Sequence, residues 1–243
     1  MLPAQPNQSL IDGLECLGAL ATAGQPVGSR EMARMLNLEP TRANRLLKTL
    51  AALGIAQQTA ARRYVPGPGM HVLSAQAMHG SGLLRAAVPV LEKLRKYELN
   101  VALGVLWQAR VCYLYFASPK TPLADALGGR GLFAAEDSGI GLPLLASLEK
   151  AQLATLYAPA EPLRRKSLLK KVGAVRTSGY AYLPADDKRT EPVVGVAVGN
   201  PAVAGLALSG AFPESRVGEL VDVLRQASKD IVRQSQVVSQ KQM

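Results

Sequence analysis

Two short helical periods separated by a four-residue break constrain this chain more than any other feature. Ser29 opens the first, with Met32, Ala33, Met35 and Leu36 on one side and Arg30, Glu31 and Arg34 on the other. Asn37-Leu38-Glu39-Pro40 interrupts the period, and Leu38 is expected to plug the junction. The second helix is expected from about 41 to 53, with Leu46, Leu47, Leu50 and Leu53 as its apolar stripe and Gly54 just past its end. Thr41, Arg42, Asn44, Arg45 and Lys48 fall towards the opposite side. Two short helices joined by a tight turn, the second polar and basic at its start, describe a helix-turn-helix. Such a second helix presents its first turns to major-groove base edges.

The flanks extend this pattern. Ser9-Leu10-Ile11-Asp12 has the form of a capping box. Leu10, Leu14, Leu17 and Leu20 follow at helical spacing, predicting a first helix over about 9–23. Downstream, Ile55-Ala56-Gln57-Gln58 and Arg62-Arg63-Tyr64-Val65 read as short strands around Thr59-Ala60-Ala61. A basic hairpin directly after the second helix is a wing, with Arg62 and Arg63 placed to grip phosphate. Asn44 is the residue expected to read a base edge.

Charge placement supports a polyanionic partner. The chain of 243 residues carries 28 Lys+Arg against 18 Asp+Glu, a formal charge of +10. No acidic residue stands between Glu39 and Glu92, where Arg42, Arg45, Lys48, Arg62, Arg63 and Arg85 lie. One carboxylate there would repel phosphate, so the gap fits a surface facing nucleic acid. Residues 40–63 contain no aromatic side chain for base stacking, which favours duplex DNA over single strands or RNA.

Several classes drop out. Cys16 and Cys112 are the only cysteines and His71 and His79 the only histidines, so neither a disulfide framework nor a multi-ligand metal centre is expected. No apolar run reaches the length of a membrane span, and no basic segment precedes an apolar one near the N-terminus. The expectation is a cytoplasmic protein with no membrane association. Neither G-x-S-x-G, G-x-x-x-x-G-K-[ST] nor H-E-x-x-H occurs. The glycines of 127–131 and 138–141 do not fit a dinucleotide fingerprint, and the acidic pairs Glu136-Asp137 and Asp186-Asp187 read as solvated loop residues. No enzyme activity and no cofactor are expected.

Beyond the wing, 70–84 reads as a helix joining two domains. Strand patterns follow at 100–107, 111–116, 179–183, 193–198 and 203–209, with helical stretches near 141–147, 149–157, 162–172 and 214–234. Strands and helices interleaved around hairpins predict an α+β domain with an antiparallel sheet. The expected boundaries are 1–68 for the winged helix-turn-helix, 69–84 for the linker helix and 85–243 for the second domain.

At the residue level the chain resembles the IclR family of bacterial transcription regulators. The likeness spans 9–67: Ser29-Arg-Glu-Met-Ala-Arg-Met-Leu, then a run whose Arg45-Leu-Leu-Lys-Thr-Leu-Ala-Ala-Leu-Gly-Ile matches the family's R-L-L-x-x-L-x-x-x-G-φ, then Tyr64-Val-Pro-Gly. Asn37 stands where the family usually has Gly, and Arg42 where it has Thr. The resemblance implies a GAF/profilin-like effector-binding domain after the linker helix. In it, Glu136-Asp-Ser-Gly-Ile-Gly-Leu-Pro-Leu-Leu-Ala146 is similar to the family's effector-site loop, and Leu206-Ala-Leu-Ser-Gly210 to its φ-S-φ-S-G strand. That points to Ser138, Gly139, Ile140, Gly141 and Ser209 as effector residues, since N–H groups opening a helix suit a small carboxylate. Leu142 replaces a lysine, Pro143 a small residue, Leu183 an aspartate and Ala207 the first serine. The stretch Lys188-Arg189-Thr190-Glu191-Pro192 departs from E-E-x-x-G. These changes imply a more apolar effector, or none.

The expected function is a transcriptional regulator, a repressor in the first instance, that binds a palindromic double-stranded operator as a homodimer or dimer of dimers and responds to a small organic acid. The alternative is a winged-helix protein-interaction module whose second domain has lost its ligand. A metabolite-binding enzyme with an appended helix-turn-helix is a third.

Overall fold

The computed structural model describes residues 5–128, 131–187 and 190–240. Gly129, Arg130, Lys188 and Arg189, which enter the loop readings above, lie outside them. The chain divides into two compact units, Met1–Ser81 and Gly82–Met243.

The first unit opens with α1 (Gln8–Thr22), α2 (Ser29–Leu36) and α3 (Pro40–Ala52). The cap of α1 is Asn7, not Ser9: its Oδ1 accepts the Leu10 N–H at 3.1 Å, while Asp12 turns inward. Asp12, Cys16 and Leu20 form the buried face, which leaves Leu10 and Leu14 exposed rather than in the core stripe. Gly28, not Ser29, precedes α2, and its N–H donates to the Glu31 carboxylate. Asn37 ends α2 in the left-handed region at φ 52°, which asparagine tolerates better than most residues. Its side chain therefore replaces glycine here at low cost. Pro40 starts α3, where a missing N–H is no loss. Ala43 and Leu47 are buried in the core with Cys16, Leu20, Val27, Met32, Ala56 and Tyr64. Met35 and Leu53, expected inside, are exposed.

Strands β1 (Ala56–Gln58) and β2 (Tyr64–Pro66) form the expected hairpin, with Gln57 opposite Val65. Val27 adds a rung by exchanging two hydrogen bonds with Tyr64, at 2.9 and 2.8 Å. Arg62 and Arg63 belong to the connecting turn rather than the strand: Arg62 N–H donates to Thr59 O, and Thr59 N–H to Arg63 O. Helix α4 (Pro68–Ser81) occupies the stretch where a helix was expected; it lies within the first unit and has no buried residue.

The second unit carries α5 (Leu83–Leu94) and a six-stranded antiparallel sheet. Its strands are β3 (Asn100–Trp107), β4 (Arg110–Ala117), β5 (Leu132–Ala134), β6 (Ala181–Leu183), β7 (Val193–Val198) and β8 (Ala204–Ser209), in the order β5-β4-β3-β8-β7-β6. The helices are α6 (Leu123–Ala126), α7 (Gly141–Ser147), α8 (Lys150–Leu156), α9 (Pro162–Ser178) and α10 (Val217–Gln240). Period-two alternation sorts the core into two layers. Val101, Leu103, Val194, Val196, Leu206 and Leu208 share one layer with α5 and α10. Ala102, Ala181 and Ala207 share the other with Ile140, α7 and α9. This is the α+β architecture expected. Strand β5 and helix α6, three and four residues long, escaped the sequence reading.

Candidate nucleic-acid interface and ligand site

With Ala43 and Leu47 inside, helical geometry turns Thr41, Arg45 and Lys48 outward, and all three are exposed. Asn44 sits half-buried on the flank of that face. Beside it lies a concave surface of ≈ 560 Å³ lined by Arg30, Ala33, Arg34, Asn37, Leu38 and Pro40. Arg30 and Arg34, one turn apart on α2, thus extend the cationic face. They stand among Asp12, Glu15, Glu31 and Glu39, outside the acid-free stretch that drew attention to α3; their i, i+4 spacing was the available signal.

Two of the expected DNA contacts are engaged within the protein. Arg42 Nε lies 2.5 Å from Oδ2 of Asp12, whose side chain is 2% exposed. The second carboxylate oxygen accepts from Gln8 Nε2 at 2.7 Å. Oδ2 makes no aligned hydrogen bond, so the Arg42 contact is one of charge. Arg63 folds back onto the domain, with Nη2 donating to Glu31 Oε2 at 2.5 Å and Nε to Pro26 O at 2.8 Å. Arg62 is different: it is exposed at the wing tip, at φ 55°. The wing therefore offers one outward guanidinium where two were expected.

The glycine loop also differs from expectation. Ser138 Oγ accepts from the N–H groups of Ile140 and Gly141, both at 3.2 Å, so the donors meant for a carboxylate already have a partner. The loop lies directly on the sheet. A Cβ on Gly195 would overlap Gly139 O, and one on Gly205 would overlap Ile140. Val193 and Ala207 lie against Gly139, and Ala207 stands where the resemblance expected a serine. Ser209, at the end of β8, accepts from Asn100 Nδ2 at 3.3 Å, and Asn100 also donates to Glu191. Ser138, Gly139, Ile140 and Gly141 thus pack together against the sheet, and Ser209 is engaged with Asn100 at the end of β8.

Glu136 is not a solvated loop acid. It is buried and pairs with Arg164 Nε at 2.5 Å, while burial and the neighbouring Glu136 charge push the Tyr157 phenol upward. Lys171 of α9 bridges to Asp137 at 3.0 Å and to the Glu136 carbonyl at 3.1 Å. The same lysine borders an open cleft of ≈ 290 Å³ shared with Leu142, Val175, Ser178, Tyr182 and Leu183. Sequence reasoning missed Lys171 because the turn that brings α9 beside β6 has no local signature.

Comparison with known proteins bears on both units. Residues 9–60 match the IclR helix-turn-helix domain. The chain is 26% identical over 225 residues to the HTH-type transcriptional regulator BhcR of Paracoccus denitrificans (strain Pd 1222), covering 83% of this chain and 78% of that protein. Its fold is similar to that of an IclR family transcriptional regulator from Brucella abortus, with a TM-score of 0.77, 20% identity and 94% and 93% of the two chains covered. It is also similar to an IclR homologue from Microbacterium hydrocarbonoxydans complexed with 4-hydroxybenzoate, with a TM-score of 0.66, 18% identity and 94% and 98% covered. The first unit thus carries a helix-turn-helix of the IclR kind over 9–60, and the whole chain shares the fold of IclR-type transcriptional regulators.

Proposed function

We propose that this chain binds a palindromic duplex operator as a homodimer or dimer of dimers, represses transcription in the cytoplasm, and is relieved by a small carboxylate. The observation that carries the DNA reading is the outward line Thr41, Arg45 and Lys48 on α3, adjoined by Asn44, Arg30, Arg34 and Arg62. Self-association is supported by apolar side chains left exposed on the first unit: Leu10 and Leu14 on α1, and Val72, Leu73 and Met78 on α4. A second copy covering them would also match operator symmetry. We assign the chain no catalytic step.

For the effector, we propose the cleft beside Lys171 instead of the loop 138–141. Its apolar wall of Leu142, Val175 and Leu183, lined also by Tyr182 and by Lys171, whose ammonium a ligand would share with Asp137, suits an aromatic or branched carboxylate. The 4-hydroxybenzoate bound by the Microbacterium homologue belongs to that chemical class. The test is a fluorescence-anisotropy titration of the full chain against its own upstream promoter fragment and an unrelated duplex, with and without 4-hydroxybenzoate. Preference for the promoter fragment, weakened by the acid, supports the reading. Equal binding to both duplexes removes the operator, and indifference to a panel of carboxylates favours a second domain that has lost its ligand.

A further inference from the structure

Asp12 is a carboxylate in an otherwise apolar core, on the same inward face of α1 as Cys16 and Leu20. A buried charge of this kind survives only with a counter-charge, and the cation at hand is Arg42. Arg42 in turn occupies the first turn of α3, which holds no acidic residue and where the helix dipole disfavours a cation. Each residue is thus unfavourable alone and explicable as a pair. The helix geometry agrees. Ala43 faces the core, so Arg42 lies about 100° away on one flank, off the outward line of Thr41, Arg45 and Lys48.

We propose that Asp12 masks Arg42: it holds the guanidinium against α1, fixes the start of the recognition helix to that helix, and withholds this cation from DNA phosphate. Arg42 is then a positioning residue rather than a DNA contact, and Asp12 sets how many cations the helix presents. A guanidinium neutralised within the protein displaces no counterions from DNA, so the arginine at this position adds nothing to the salt dependence of binding. The inference rests on the proposed DNA reading of α3.

The experiment measures the slope of log K against log[salt] for the full chain on its promoter fragment. Asp12→Asn is expected to steepen the slope by about one unit, as the freed Arg42 reaches phosphate. The double variant Asp12→Asn/Arg42→Gln is expected to return to the wild-type slope, a readout that a purely structural role would not move. A double variant shallower than wild type by about one unit would show that Arg42 already contacts phosphate, and would overturn the proposal. So would an Asp12→Asn slope equal to wild type. If that pair of substitutions does not fold, Asp12→Met/Arg42→Leu supports the same comparison with wild type, since apolar replacement of a buried ion pair is commonly tolerated. Absence of duplex binding by the wild-type chain would instead remove the DNA reading and this inference with it.

Discussion

Arg63 Nη2 lies 2.5 Å from Glu31 Oε2, which ties the wing to the helix that precedes the recognition helix. The neighbouring Arg62 is exposed and has no such tether among the described residues. The two arginines therefore divide into a staple and a contact. Arg62→Ala is expected to weaken binding to all duplexes and to make the salt slope shallower by about one unit. Arg63→Ala is expected to cost about 1 kcal/mol of stability, read as a lower Tm, because a half-exposed ion pair and a carbonyl hydrogen bond are lost together. A reversed pattern would place Arg63 at the DNA.

Ser138 serves its own loop. Removing its hydroxyl leaves two buried N–H groups unpaired, so Ser138→Ala should lower stability by about 1–2 kcal/mol. Thermal melts of the ligand-free chain report this. A variant that melts like the parent but loses carboxylate binding would return the effector to the loop.

If the cleft at α9 holds the effector, 4-hydroxybenzoate should raise the Tm of the wild-type chain. The gain in stability should reach about 2.7 kcal/mol at a ligand concentration 100 times Kd. Lys171→Ala is expected to abolish that shift while leaving operator affinity without ligand near wild type. A shift that persists in the variant would exclude Lys171 from the site.

The thiols make a pH prediction. Burial, followed by the nearby Asp12 charge, raises the Cys16 thiol to about 11 from an ordinary 9.0. A group that is harder to deprotonate in the native state favours folding fully below the unfolded value, and that contribution is lost as pH rises through the native one. Stability should therefore decline between about pH 9 and pH 11, and Cys16→Ala should flatten that decline. Cys112 is only half-buried, and is expected to react with a thiol reagent before Cys16 does.

The helix-turn-helix was legible because its apolar period runs over several turns, and the wing and most strands because turn residues bound short runs such as the apolar Val193–Val198. The rotation of α1 was not. Leu10, Leu14 and Leu17 give a better apolar stripe than Asp12, Cys16 and Leu20, and only the partner on α3 explains why a carboxylate turns inward. Charge placement showed which segment was basic, but not which cations were already paired. Arg42 and Arg63 are each satisfied by an acid distant in sequence, Asp12 and Glu31, and so are invisible to local reading. The same holds for the effector loop. Its glycines suggested open N–H groups, but Gly139 and Gly141 serve close approach to the sheet and to Ala135.

The central claim is that the outward face of α3 reads duplex DNA. The direct measurement is an anisotropy salt titration of an Arg45→Gln/Lys48→Gln variant on the promoter fragment, after circular dichroism shows the fold intact. The account predicts weaker binding with a slope shallower by about two units. A folded variant with wild-type affinity and slope would contradict it.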